Sequence, residues 1–149
     1  MSIIKSILVP TDFSPPSEAA LDVAIAISLA HHTGLSVLHV HETTPFELPD
    51  GYVENMPSQL DRTYDELNRR LSELDRKARS AGVRRIETRL LQGSIVDSIV
   101  EFSRGFDYLV LGTHGRTGLE RMVVGSVAQK VFERAPCPVV LVRPSAASE

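Results

Sequence analysis

The chain has 149 residues, enough for a single domain with a real core, and is 42% hydrophobic and 23% charged. Its net charge is −3, which argues against a sequence-independent grip on nucleic acid, since that grip needs several cations on one face. Cys137 is the only cysteine; it excludes an internal disulfide and a cysteine-based zinc site, and between Pro136 and Pro138 it reads as a small packed side chain.

Residues 3–9 form an apolar run that stops at Pro10, the pattern of a strand buried on both faces. Residues 7–9 are too short for the core of a signal peptide, and Asp12 follows at once. The longest apolar stretch, 19–30, is half a membrane span and is broken by Asp22 and Ser28, so a cytoplasmic protein without membrane contact is expected. "TDFSPPSEA" opens a helix: Ser14 suits the N-cap, Pro15 the first helical position and Glu18 the positive end. The helix runs through Leu29 and stops by Gly34; residues 35–41 are the second strand.

Residues 42–57 carry Pro45, Pro49, Gly51 and Pro57 without periodicity and read as a loop or lid. Leu60, Tyr64, Leu67, Leu71, Leu74 and Ala78 then recur at spacings of four and three, up to Gly82. That stripe suits a sheet-packed helix; a coiled-coil seam is the alternative. Residues 84–91 alternate Arg85, Glu87 and Arg89 with Ile86, Thr88 and Leu90, as a half-exposed edge strand does. Ser94, with Asp97 three residues on, predicts a capped helix to about Ser103. Residues 107–111 are a fourth strand, 126–134 a fourth helix and 138–142 a last strand, before a frayed tail over 143–149. Strands and helices alternate throughout, which predicts one domain, 1–149, with a parallel sheet covered on both faces.

Four of the nine glycines, Gly112, Gly115, Gly118 and Gly125, lie between the fourth strand and fourth helix, beside His114, Arg116 and Arg121. Glycine is costly to order, so such a cluster reflects what the backbone must do. A glycine loop leading into a helix N-terminus suits phosphate; Asp12, after the first strand, repels phosphate but suits a ribose hydroxyl. Neither a Walker A loop nor the Gly-x-Gly-x-x-Gly fingerprint is present. Spacing alone leaves a second reading open, in which the glycines serve a tight strand-to-helix crossing.

"ILVPTDFS", "VLHVHE", "DYLVLGTHGRTGLERMVVGSVAQKV" and "APCPVVLVRP" together resemble the universal stress protein family over essentially the whole chain. Members of its ATP-binding branch carry Gly, two residues, Gly, nine residues and then Gly-Ser/Thr, matched here by Gly112, Gly115, Gly125 and Ser126. The resemblance implies a three-layer α/β sandwich, Rossmann-like and of the adenine nucleotide alpha hydrolase type, with five parallel strands in the order 3-2-1-4-5. It implies that Gly112, Gly115, Gly125 and Val127 offer backbone groups, and Ser126 its hydroxyl, to the phosphates of ATP carried with magnesium or manganese. It implies ribose contact by Asp12, an adenine edge read by the backbone of Val40, and Pro10 and Thr11 lining the same turn. It further implies a nucleotide-governed stress-response switch that acts through unidentified protein partners.

Other residues carry two readings each. His114 suits a phosphate or a metal-bound water, or simple exposure; Arg116 and Arg121 suit phosphate oxygens or solvent. His39 and His41, two apart on a strand, suit a metal pair or strand-end packing. No carboxylate is tied by spacing to the glycine stretch, and neither Ser14 nor Ser126 sits in a Gly-x-Ser-x-Gly elbow, so at most slow ATP hydrolysis is expected. The charge-free last strand predicts a homodimer paired across 138–142. A dimeric interaction module without nucleotide and a slow ATPase are the competing functions.

Overall fold

β1 (Ser6–Pro10), α1 (Pro15–His31), β2 (Gly34–His41), α2 (Met56–Ala81), β3 (Ile86–Gln92), α3 (Ile95–Phe102), β4 (Tyr108–Gly112), α4 (Ser126–Arg134) and β5 (Val139–Val142) follow one another in the computed structural model. It describes residues 4–42, 56–113 and 125–144. All strand pairs are parallel and the order is β3-β2-β1-β4-β5. This is the doubly wound sheet expected from the alternation of elements.

Side chains alternate across the strands, so each strand feeds two cores. Ile7 and Val9 of β1 join Leu35, Val37 and Val110 under α1 and α2. Leu8 joins Leu38, Leu109 and Leu111 under α3 and α4, which contribute Ile99 and Val131. α1 turns a stripe of Ala20, Leu21, Ala24 and Ile25 onto the centre of the sheet, where its small residues permit close approach. The stripe on α2 also meets the sheet: Leu71 and Ala78 are buried in the same core, as the sheet-packing reading requires.

Several boundaries move by a few residues, each for a local reason. α1 runs past Leu29 to His31 and ends because His32 adopts a left-handed conformation, φ 52°; Gly34 already belongs to β2. Met56 and Pro57, placed by the sequence in a loop, open α2; the rest of that loop, 43–55, lies outside the described residues. Ser14 caps α1 through its side chain as expected, whereas Ser94 makes no side-chain cap bond to α3. Asp97 pairs with Arg134 at 2.8 Å, tying α3 to α4, and that guanidinium, with the Ser94 hydroxyl, holds its carboxyl below the usual range. The Cys137 thiol is pushed up by burial, which suits a packed side chain rather than a reactive thiolate.

Candidate functional site

β1 pairs with β2 over five residues, up to Pro10 against Leu38, but with β4 over only two, Ile7–Tyr108 and Leu8–Leu109. The start of the shorter ladder is pinned: the Asp107 carboxylate accepts the backbone N–H groups of Lys5 and Ser6 at 2.7 and 3.1 Å. Its end is set by Pro10. Thr11 donates its N–H toward β2, to Leu38 O at 2.8 Å, so by alternation an N–H at position 10 would have pointed toward β4. Proline has none, and the ladder stops. The two central strands therefore part at their carboxyl ends, where the strand order reverses and ligands of such sheets bind.

The opening holds a cavity of about 200 Å³. Its floor is Pro10 at the end of β1 and Thr11 and Asp12 in the turn after it, with Leu38, His39 and Val40 from β2. Ile95, Ile99 and Leu111 make an apolar wall, and Gly112 and residues 125–128 close the far side. The N-termini of α1, α3 and α4 all reach this cavity, α3 through apolar Ile95, and those of α1 and α4 differ in chemistry. α1 begins with Pro15 and Pro16, which have no N–H; Ser17 and Glu18 then donate back to Ser14 Oγ and Ser14 O. Little donor capacity is left there. α4 begins with Gly125 as its cap and no side-chain cap bond, and its first internal bond runs from Gln129 N to Gly125 O. Among the described residues nothing accepts from the N–H groups of Ser126, Val127 and Ala128, which suits an anion beside the positive end of the helix dipole.

Among the described residues of the cavity wall, Asp12 carries the one carboxylate. Burial pushes its pKa up, but the hydroxyl and backbone N–H of Ser14, both donating to Oδ1, outweigh that and hold it below the usual value. It stays an anionic acceptor at neutral pH. Opposite lies His39, whose Nδ1 is 2.7 Å from the carbonyl oxygen of Thr11. A carbonyl only accepts, so Nδ1 carries the proton and the neutral ring keeps an acceptor at Nε2. Burial lowers the His39 pKa, opposed by the Thr11 carbonyl and assisted by the charges of His41 and Arg70, while Asp12 acts the other way. The ring also lies 4.7 Å from that of Phe13, over which the Arg70 guanidinium sits at 5.3 Å from the centroid. Phe13 adopts φ 65°, a conformation unusual for a non-glycine residue, within the same turn as Asp12.

His39 thus braces the turn that carries Asp12. In nitrogen-15 NMR at pH 7, His39 should appear as a neutral ring protonated at Nδ1; a proton on Nε2 instead would break this account. Asn places its amide nitrogen near the Nδ1 position, so His39→Asn should hold ligand affinity within about twofold, while His39→Leu loses about fivefold, near 1 kcal/mol for one bond. Because folding depresses this pKa, the linked stability is present above the ordinary histidine range, near pH 6.5, and is lost as pH falls from there toward the lowered value.

Of the residues singled out from sequence, the structure brings Pro10, Thr11, Asp12, Val40, Gly112, Gly125, Ser126 and Val127 to one cavity. His114, Gly115, Arg116, Gly118 and Arg121 lie outside the described residues. Gly112 carries an additional duty: a Cβ there would strike the backbone of α1, at Pro16 O and 2.5 Å from Pro16 C. The crossing reading of the glycines therefore holds at this position, whatever ligand its backbone also meets. Ser14, Ser17, Ile95 and Ile99 also line the cavity and were not anticipated. Only their positions relative to a parallel sheet, not any local motif, put them there. His39 and His41 pack at the strand end, against Phe13 and Tyr64 respectively, and among the described residues no group of three His, Cys, Asp or Glu side chains is placed to hold a metal.

Sheet order and crevice define a doubly wound α/β protein with a candidate ligand site where the strand order reverses. The chain belongs to the universal stress protein family, whose model matches residues 4–143. It is 35% identical over 145 residues to universal stress protein MJ0531 of Methanocaldococcus jannaschii, covering 95% of this chain and 84% of the relative. A universal stress protein of Thermus aquaticus, encoded 3′ of a QAH/OAS sulfhydrylase, is 34% identical over 147 residues, covering 95% of this chain and all of the relative. Among solved structures, a universal stress protein in complex with cAMP superposes with a TM-score of 0.71 at 26% identity, over 95% of this chain and 98% of that one.

Proposed function

We propose that the protein binds adenine nucleotides, ATP with magnesium or manganese foremost, and that nucleotide occupancy governs its contacts with other proteins. The observation that carries this reading is the cavity at the split between β1 and β4, with the N-terminus of α4, which has no side-chain cap among the described residues, on one side and Asp12 on the other. A base and a sugar suit the apolar wall and the Asp12 carboxylate; phosphates suit the N–H groups of residues 126–128 and the Ser126 hydroxyl. The similar protein that binds cAMP supports an adenine ligand. The spacing of Gly112, Gly115, Gly125 and Ser126 supports a longer phosphate chain, with Gly115, His114 and Arg116 assigned by resemblance alone. The metal would arrive with the phosphates and offset their charge, since no cluster of protein ligands is available for it among the described residues.

Mass analysis of small molecules released from the purified protein, followed by calorimetric titration with ATP and cAMP, tests this. Bound adenine nucleotide, or saturable binding of ATP that tightens with Mg²⁺, is expected. A protein that arrives empty and gives no heat with either ligand would favour an interaction module that works without nucleotide.

A homodimer is part of the proposal. β5 is an edge strand whose Val139, Val140 and Leu141 are half-exposed, and it carries no charge before Arg143. The opposite edge, β3, exposes Glu87 and Arg89, which discourage edge pairing. Two copies of β5 running antiparallel would satisfy both sets of free backbone groups. Val140→Lys sets two like charges near one another across that axis and should give monomers in sedimentation at micromolar concentration. A wild-type protein already monomeric there would remove the dimer from the proposal.

A further inference from the structure

At the other end of the sheet, α1 and α2 finish side by side, and a second cavity of about 440 Å³ opens between the α1–β2 turn and the α2–β3 turn. Its wall includes His32, Thr33, Arg84 and Arg85 and, among the described residues, no acidic side chain. The surrounding segment is the most basic in the chain. Residues 76–85 read "RKARSAGVRR", with five cations and no carboxylate, a concentration hidden by the net charge of −3.

Some of these charges are spoken for: Lys77 pairs with Asp22 at 2.8 Å and Arg79 with Asp75 at 2.7 Å. Arg84, Arg85 and His32 form no ion pair among the described residues. The two helix C-termini supply roughly one negative charge between them, which two guanidiniums exceed. Thr33, also in the wall, is only 6% exposed, and its hydroxyl oxygen is buried with no hydrogen-bond partner. A buried hydroxyl left unpaired is costly, and native structures usually satisfy it with protein, water or ligand.

We propose that this cavity is a second anion site, which takes a phosphoryl oxyanion between Arg84 and Arg85, with His32 and the Thr33 hydroxyl beside it. Guanidinium forks match phosphoryl oxygens two at a time, and two adjacent forks on one turn can clasp a doubly charged group. The site is distinct from the nucleotide cavity. α1 lines the first cavity with Pro16 and Ser17 and the second with Ser28 and Leu29, and twelve helical residues separate such positions by about 18 Å. The proposal does not depend on nucleotide binding.

Inorganic phosphate and pyrophosphate are suitable probes, titrated into nitrogen-15-labelled protein at constant ionic strength. Because the N-terminus of α4 also attracts anions, the readout is by residue. The expected result is saturable movement of the amides of residues 32–34 and 82–86, separate in midpoint from any movement at 125–129. In Arg84→Gln/Arg85→Gln the first midpoint should rise at least about tenfold while the second stays put, the loss of one to two charge-assisted bonds. Thr33→Val, nearly isosteric, should weaken the first site severalfold without unfolding the protein. Movement confined to 125–129, movement that never saturates, or an unchanged midpoint in the double variant would each overturn the proposal, leaving Arg84 and Arg85 as complements to the helix dipoles.

Discussion

Asp12→Ala is expected to weaken ATP and adenosine by about thirtyfold while leaving inorganic triphosphate nearly unchanged. A ribose hydroxyl donating to an ionised carboxylate is a charge-assisted bond, and losing about 2 kcal/mol corresponds to that factor. The carboxylate is well prepared for this part. Ser14 holds its Oδ1 with two donors, so the side chain is oriented before ligand arrives, and its lowered pKa keeps it charged. The same bonds mean that alanine also loosens the turn before α1. Asp12→Asn separates the two effects: its amide oxygen preserves the turn but offers the ribose a neutral acceptor, so a severalfold loss is expected with an unaltered melting temperature. Calorimetry with the three ligands reads the result. Equal losses for ATP and for triphosphate would move Asp12 from the sugar to the phosphates or their metal.

Much of this architecture is legible in the amino-acid order, because the strongest signals are local and repeated. Residues 7–9 are fully buried on both faces, as an uninterrupted apolar run demands. α4 occupies 126–134 as expected, since Gly125 and Pro136 bracket it. Other features are invisible at that level. Ser94 looks like a cap yet makes no cap bond, and Asp97 also pairs with Arg134, thirty-seven residues away, a partner that no local pattern announces. His32 ends α1 in a conformation usually left to glycine or asparagine, with its cap secured by Ser28, whose hydroxyl reaches Thr33 O at 2.6 Å. His39 reads as an ordinary strand residue until β1 is laid beside β2 and the Thr11 carbonyl comes within reach. The cavity wall from α3 is of the same kind: Ile95 and Ile99 are apolar residues like many others, and only the crossover places them over the split strands. Sequence reasoning finds residues whose chemistry is unusual; it passes over ordinary residues that topology brings to unusual places.

Gly112 shows where the two kinds of information meet, and it carries the largest expected effect on stability. Gly112→Ala should lower stability by about 3 kcal/mol and the melting temperature by roughly 10 °C. The added methyl would meet the main chain of Pro16 and stand 3.0 Å from Ser17 N. Main-chain atoms cannot rotate aside, so the first turn of α1 must lift from β4. That turn includes Pro16 and Ser17, both buried and both in the cavity wall; the same displacement should therefore weaken nucleotide binding in whatever fraction remains folded. Gly34→Ala is the matched control. Its Cβ would lie 3.7 Å from Arg85 Cβ and O, ordinary contact distance, and its stability should stay within about 1 kcal/mol of the parent. Thermal melts of the pair, with and without ATP, separate the roles of the residue. If Gly112→Ala melts like Gly34→Ala yet no longer binds ATP, the glycine is there for the ligand alone. If it melts early and the surviving protein still binds with parental affinity, its place in the motif is owed to the packing of α1 on β4.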